Sequence, residues 1–265
     1  MKYWKYSGAG NDFVVLDDRE SKLTGEASLA RLLCDRKSGL GADGLMILRK
    51  ARHGGDIRMC FYNNDGSAAE MCGNGARCLC RHLYDFGLSG RRQCIETAAG
   101  MVYGERIDEA TYRIRLNRPT EVSLQISVNG TLCDYLVLGE NGIPHAVVLA
   151  DLSENRAILR DFARSLRYAE AFPKGANVNL CEILSENELN LITYERGVED
   201  FTLACGTGTG STVYALWKRG LVSGRGTKVH VDGGELAVDI SDGEIYLTGP
   251  AERLCEGEVE PARAL

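Results

Sequence analysis

The chain has 265 residues, 44% of them apolar, and its 31 Lys plus Arg against 37 Asp plus Glu give a formal charge of −6. That length holds one large domain or two smaller ones, each able to bury a core. Basic residues are dispersed without a Lys/Arg run, so nothing calls for nucleic acid or an anionic membrane, and no segment approaches the roughly 18 uninterrupted apolar residues of a membrane span.

The opening MKYWKYSGAGNDF runs into glycines with no apolar h-region, and the expectation is a soluble, cytoplasmic protein. Strand-like runs follow in order: FVVLD, GLMILR, IRMCFY, YRIRLN, HAVVLA, LNLITYER, KVHVDG, LAVDI and EIYLTG. Helical patterning is rarer, at residues 29–36, 75–87, 158–168 and 210–220. Thirty-one glycines against five prolines point to short glycine turns rather than stiff linkers. Many strands around few helices predict an α+β fold in which each sheet curls around a buried helix.

Two stretches repeat each other half a chain apart, EMCGNGARCLC near residue 72 and LACGTGTGSTV near residue 205. Counted from Cys72 and Cys205, glycines recur at +1 (Gly73, Gly206) and +3 (Gly75, Gly208). Leucines follow at +11 (Leu83, Leu216), aromatics at +12 (Tyr84, Trp217) and glycines at +15 (Gly87, Gly220). This predicts a duplicated unit whose central helix starts after the cysteine and ends at a C′ glycine. The expected domains are 1–118 and 119–250, divided near the proline of LNRPTEV, with 251–265 a C-terminal segment whose return to the first domain is left open.

A helix N-terminus offers unpaired N–H groups and partial positive charge, and glycines admit a ligand close to the backbone. Such a turn can hold a substrate carboxylate and also lower the pKa of the adjacent thiol. If two such turns face one cleft, a thiolate removes a proton from a carbon while a thiol returns one from the opposite side, which is stereoinversion.

Other readings of these residues are weaker. The ten cysteines lack the short secreted context of a disulfide framework, so reduced thiols are expected, and Cys34, Cys60, Cys78, Cys80, Cys94, Cys133, Cys181 and Cys255 read as small buried hydrophobes. Cys72, Cys78, Cys80 and His82 cluster in sequence, but no CxxC and no second ligand pair exists, so no metal is expected. GTGTGS lacks the P-loop lysine, and SGAGNDF misses the last glycine of the dinucleotide fingerprint.

Nearly the whole chain resembles the diaminopimelate epimerase family. The resemblance is carried by KYSGAGNDFVVLD, GLGADGL, NNDGSAAEMCGNGARC, GIPHAV, FPKGANVNL, YERGVEDFTLACGTGTG and LTGPAE. It implies two pseudo-symmetric domains, each a β-barrel-like sheet around a central helix, a homodimer, and an enzyme needing no cofactor that epimerises a small amino-acid substrate in lysine and peptidoglycan precursor biosynthesis. Cys72 and Cys205 become the acid/base pair. Gly73, Asn74, Gly206 and Thr207 become backbone donors to the reacting carboxylate. Asn11, Asn63, Asn177 and Arg196 are assigned to the distal carboxylate, Glu195 to an amino group, and His145 to a place beside the site as a supporting residue. His53, His82 and His230 read as surface or packing residues.

The chain departs from the family where Ile143 precedes Pro144-His145 in place of the usual asparagine, at Gly44, and in one extra residue within VEDF. Three functions therefore stand side by side. The first is epimerisation of LL- and meso-2,6-diaminopimelate, the second racemisation of another amino acid on the same fold, and the third non-catalytic binding of an amino acid or carboxylate. Retention of both cysteines favours the chemistry over binding alone.

Overall fold

The computed structural model describes residues 1–140 and 142–260, so residues 261–265 of the C-terminal segment lie outside the described residues. The chain divides into two compact units, Met1–Ile114 together with the stretch from Gly249 onward, and Arg115–Thr248.

In the first unit the elements in chain order are β1 (Lys2–Gly8), β2 (Asn11–Asp17), α1 (Glu26–Cys34), β3 (Gly44–Arg49), β4 (Ile57–Asn63), β5 (Ala68–Ala69), α2 (Gly73–Asp85), β6 (Arg92–Thr97), β7 (Gly100–Arg106) and β8 (Thr111–Leu116). The second contains β9 (Pro119–Val128), β10 (Thr131–Leu138), β11 (Pro144–Leu149), α3 (Arg156–Arg167), β12 (Asn177–Ser185), β13 (Glu188–Glu195), β14 (Asp200–Thr202), α4 (Gly206–Lys218), β15 (Thr227–Val231), β16 (Gly234–Ser241) and β17 (Glu244–Pro250). The chain then re-enters the first unit as β18 (Glu252–Glu258), which pairs antiparallel with β1.

Taken separately, the two units have the same strand order. The first orders its strands β18-β1-β2-β3-β4-β6-β7-β8, with β2/β3 and β4/β6 parallel and every other pair antiparallel. The second orders them β9-β10-β11-β12-β13-β15-β16-β17, with β11/β12 and β13/β15 parallel at the same two places. A parallel pair needs a crossover, and helices supply all four: α1 and α3 for the first parallel pair of each unit, α2 and α4 for the second. The duplication first visible around two cysteines thus extends through the sheet order, except that β9 leads into its unit while its counterpart β18 comes from the C-terminal end of the chain.

The strands that lie between two helices are covered on both faces, which explains the continuous apolar runs of β2, β3, β11 and β12. Val14 and Leu16 of β2 pack with Leu45 and Ile47 of β3 under Leu29, Ala30 and Leu33 of α1. Strand alternation turns Phe13 and Met46 the other way, where they approach Gly75 of α2. Helix α2 touches β1, β2, β6, β7 and β18, strands from both ends of the sheet order, so the sheet wraps it. All of Gly73–Cys80, with His82 and Leu83, is buried, and α4 is buried likewise within β9–β12 and β16.

Both central helices end alike. Gly87 (φ 64°) and Gly220 (φ 69°) take the left-handed conformation expected of a C′ glycine, and the next residues close back, Leu88 N to Leu83 O at 2.8 Å and Leu221 N to Leu216 O at 2.9 Å. Five of the eight background cysteines, Cys34, Cys78, Cys80, Cys133 and Cys181, are buried as expected. The expectation fails for the others: Cys60 and Cys94 are half-buried and Cys255 is exposed on β18. Cys255 lies among the charged residues of ERLCEGE, too polar a strand to bury it.

Candidate active site

Helix α2 starts as its sequence demands. Cys72 is the N-cap, extended at φ −131° and ψ 121°, and its Sγ accepts the Gly75 N–H at 3.5 Å. Cys205 caps α4 at φ −118° and ψ 107°, its Sγ accepting the Gly208 N–H at 3.4 Å. A side-chain acceptor at this position serves one of the N–H groups that the first helical turn leaves without intrahelical partners. Both sulfurs therefore sit where the helix dipole favours negative charge.

Around Cys72 the polar side chains form a directed chain. Arg77 Nη2 donates to Asn74 Oδ1 at 2.9 Å, Asn74 Nδ2 donates to Asn11 Oδ1 at 2.5 Å, and Asn11 Nδ2 donates to Asp43 Oδ2 at 3.1 Å. The direction is forced, since a guanidinium only donates and a carboxylate only accepts. Arg36 clamps Asp43 and Asp12, and Lys5 also meets Asp12. Burial works to raise the Asp12 carboxyl, but hydrogen bonds from Arg36 and Lys5 outweigh it and hold it below the usual carboxylate range. Asn63, at the end of β4, donates instead to Ser67 Oγ at 2.9 Å.

Around Cys205, Asn177 Nδ2 reaches Sγ at 3.7 Å while its Oδ1 accepts the Arg196 N–H at 2.8 Å. Arg196 Nη1 donates to Lys174 O at 2.9 Å, and Glu195 accepts from Thr202 Oγ1 at 2.9 Å. His145 is fully buried, its Nε2 3.1 Å from Thr207 Oγ1 and its Nδ1 3.3 Å from Asn179 Nδ2. Burial, reinforced by the Arg196 charge, brings the His145 imidazole down to about 3, so it is neutral at physiological pH.

Of the residues singled out from sequence, Asn11, Asn74, Gly73 and Cys72 gather at one helix start, and Asn177, Glu195, Arg196, Gly206, Thr207, His145 and Cys205 at the other. Asp43, Arg77 and Asn179 were not anticipated. The signal for Asn179 was present in ANVNL, where strand alternation puts Asn177 and Asn179 on one face of β12. Gly44 has a packing reason, because a Cβ there would meet the Phe61 ring. Within VEDF, Glu199 turns with φ 58° ahead of β14. Cys78, Cys80 and His82 serve the core of α2: Cys78 Sγ faces Gly8, Cys80 Sγ faces Gly104, and His82 Nδ1 bonds Tyr6 Oη at 3.0 Å. Burial pushes the Cys78 thiol up to about 12, which keeps it protonated.

A family model described as diaminopimelate epimerase matches residues 3–117 and 138–254. The chain belongs to this family. It is 36% identical to the diaminopimelate epimerase of Aquifex aeolicus (strain VF5), covering 98% of both chains. It is equally 36% identical to that of Methanocella arvoryzae, over 98% of this chain and 97% of the relative. Among solved structures it matches a hydroxyproline epimerase from Agrobacterium vitis with TM-score 0.72 at 16% identity, over 100% and 94% of the two chains. A Bacillus anthracis phenazine biosynthesis protein of the PhzF family matches with TM-score 0.71 at 15% identity, over 98% and 99%. At such identities the structures establish the fold, while membership in the diaminopimelate epimerase family rests on the sequence matches. Among the described residues no helix is long and apolar enough to cross a membrane.

Proposed function

We propose that this chain is an isomerase that interconverts LL- and meso-2,6-diaminopimelate, with Cys72 and Cys205 as its acid/base pair. One thiolate takes the hydrogen of an α carbon as a proton, leaving a planar carbanion, and the thiol of the other cysteine protonates the opposite face. The enzyme ends with the two protonation states exchanged, and the reverse reaction starts from that form. The observation that carries this reading is the doubled construction: two cysteines cap the central helices of two units with the same strand order, each sulfur accepting the N–H of its +3 glycine.

In this reading Gly73, Asn74, Gly206 and Thr207 hold the reacting carboxylate through backbone N–H groups, where charge builds as the carbanion forms. Arg196 with Asn11, Asn63 and Asn177 takes the distal carboxylate, and Glu195 takes an amino group. Thiolate and thiol supply both proton transfers, so no step requires a metal or pyridoxal phosphate. A homodimer working in the cytoplasm belongs to the same reading, on the strength of the family.

Proton NMR in D2O with LL-diaminopimelate, followed by a panel of other amino acids, tests it without added cofactor. Loss of the α-hydrogen signal from diaminopimelate is the expected result. Exchange confined to another amino acid would keep the two-thiol chemistry and overturn the substrate. In that case Ile143, exposed just ahead of β11, is the first residue to revert to asparagine. Exchange with nothing would leave a binding protein.

A further inference from the structure

Three side chains, Asn179, His145 and Thr207, lead from β12 to the Cys205 sulfur, and the hydrogen bonds at Asn179 decide which nitrogen of the ring carries hydrogen. Asn179 Nδ2 lies 3.1 Å from Ala146 O and 3.5 Å from Asn177 O, two carbonyls that cannot donate, and Asn179 Oδ1 accepts from Thr193 Oγ1 at 3.0 Å. The amide orientation is therefore fixed, and the group facing His145 Nδ1 at 3.3 Å is an NH2. An NH2 has no lone pair to offer, so Nδ1 must be the bare nitrogen, and the neutral ring carries its hydrogen on Nε2. Nε2 then donates to Thr207 Oγ1 at 3.1 Å. With one lone pair taken up by the ring, the Thr207 hydroxyl keeps its own hydrogen to give, and Cys205 Sγ lies 3.6 Å away, where a thiolate can only accept it.

We propose that Asn179 is a positioning residue: by fixing the His145 tautomer it makes Thr207 a hydrogen-bond donor to Cys205 and so favours that cysteine as thiolate. The inference rests on the assignment of Cys205 as one of the two acid/base thiols. Asn179 acts through His145 and Thr207. The Thr207 hydroxyl joins the Gly208 N–H and Asn177 Nδ2 as the third donor aimed at this sulfur. Charge-assisted donors of this kind stabilise an anion more than its conjugate acid.

A second observation ties the relay to the helix start. A Cβ on Gly208 would collide with Asn179 Oδ1. The +3 glycine of ACGTG is thus what lets Asn179 lie against the first turn of α4. Its counterpart Gly75 has no such neighbour, a Cβ there meeting the Met46 sulfur at 3.2 Å and Cys72 Cβ at 3.5 Å. The relay lies wholly in the second unit.

Two measurements test it. In the wild-type protein, 15N-labelled histidine NMR near neutral pH should show His145 as the neutral tautomer with hydrogen on Nε2 and a bare Nδ1, and hydrogen on Nδ1 would overturn the proposal outright. In Asn179→Ala the tautomer should mix. The midpoint of the pH profile for Cys205 alkylation, followed by peptide mass spectrometry, should rise by roughly half a unit to one unit, the worth of one hydrogen bond. The Cys72 profile should stay in place. Thr207→Val should reproduce the Cys205 shift and Thr207→Ser should restore the wild-type midpoint. An unmoved Cys205 midpoint in both Asn179→Ala and Thr207→Val would overturn the relay, as would equal shifts at both cysteines. None of these readouts needs turnover, so failure of the relay and failure of the epimerase reading are seen separately.

Discussion

Arg77 Nη2 donates to Asn74 Oδ1 at 2.9 Å from a guanidinium with no exposed surface. Its Nε donates to Pro250 O at 3.3 Å, and one turn on Arg81 Nη1 donates to Ala251 O at 2.6 Å, so α2 also holds the backbone that leads into β18. Burial lowers the hold of Arg77 on its proton, but a guanidinium stays charged inside proteins, and the chain of amides carries that polarity from Arg77 to the Asp43 carboxylate. Arg77→Ala leaves Asn74 Oδ1 and Pro250 O without these donors and opens a cavity, an expected loss of about 3 kcal/mol. Arg77→Lys keeps the charge, but one ammonium cannot replace a fork that spans both partners, and an intermediate loss is expected. Urea unfolding of the three proteins checks the order, and wild-type stability in Arg77→Ala would remove the Arg77–Asn74–Asn11–Asp43 chain from any structural role.

The two thiols are expected to be individually indispensable. Cys72→Ala and Cys205→Ala should each lower epimerisation by roughly 1000-fold or more, the scale of a lost acid or base. Each sulfur is only one weak cap of its helix, so circular dichroism should change little. Near-normal turnover in either variant would end the two-thiol reading.

What could be read before the structure follows from range. Helices α2 and α4 declare themselves locally, by a cysteine and glycines at the start, buried periodicity, and a left-handed glycine at the end. Strand β18 does not, because ERLCEGE has no apolar alternation and exists by pairing with β1 from the far end of the chain. The two-residue β5 and three-residue β14 are too short for any pattern and form on the edges of β4 and β13. The polar chains were the least legible part. Nothing in GNGARC says that Arg77 points inward, and Asn179 acquires its meaning only when β11 and β12 bring His145 alongside it.

Acid should destabilise the first unit through His82. Its ring is buried between Trp4 and Phe86, with Tyr6 Oη on Nδ1, and burial brings it down to about 4 from an ordinary 6.5. Above pH 6.5 the imidazole is neutral in both folded and unfolded chains, and its full contribution is present. As pH falls below 6.5 the unfolded chain gains a proton that the native site refuses, and the loss grows until about pH 4, reaching about 3 kcal/mol. His145, brought to about 3, adds a loss of the same sign in the second unit. Urea unfolding of wild type and His82→Gln at pH 7 and pH 4.5 checks this. The variant should lose less stability between the two pH values, and equal losses would show that His82 is not the group responsible.

The +3 glycines should respond unequally to one methyl group, although they occupy the same place in the duplicated motif. In Gly208→Ala the added carbon collides with Asn179 Oδ1, which is fixed by Thr193 and linked through its NH2 to His145, so neither side can yield without breaking buried hydrogen bonds. A loss of about 2 kcal/mol is expected, with activity falling further because Cys205 and Thr207 share that first turn. In Gly75→Ala the nearest atom is the Met46 sulfur, the pliable part of an unbranched chain. There the strain is offset by the roughly 0.5–1 kcal/mol that alanine gains over glycine inside a helix, and stability should stay within about 1 kcal/mol of wild type. Thermal unfolding and epimerisation rates of the two variants decide the matter. Equal damage from both would mean that the two helix starts are held in the same way, and that the hydrogen-bonded buttress behind Cys205 carries no special weight.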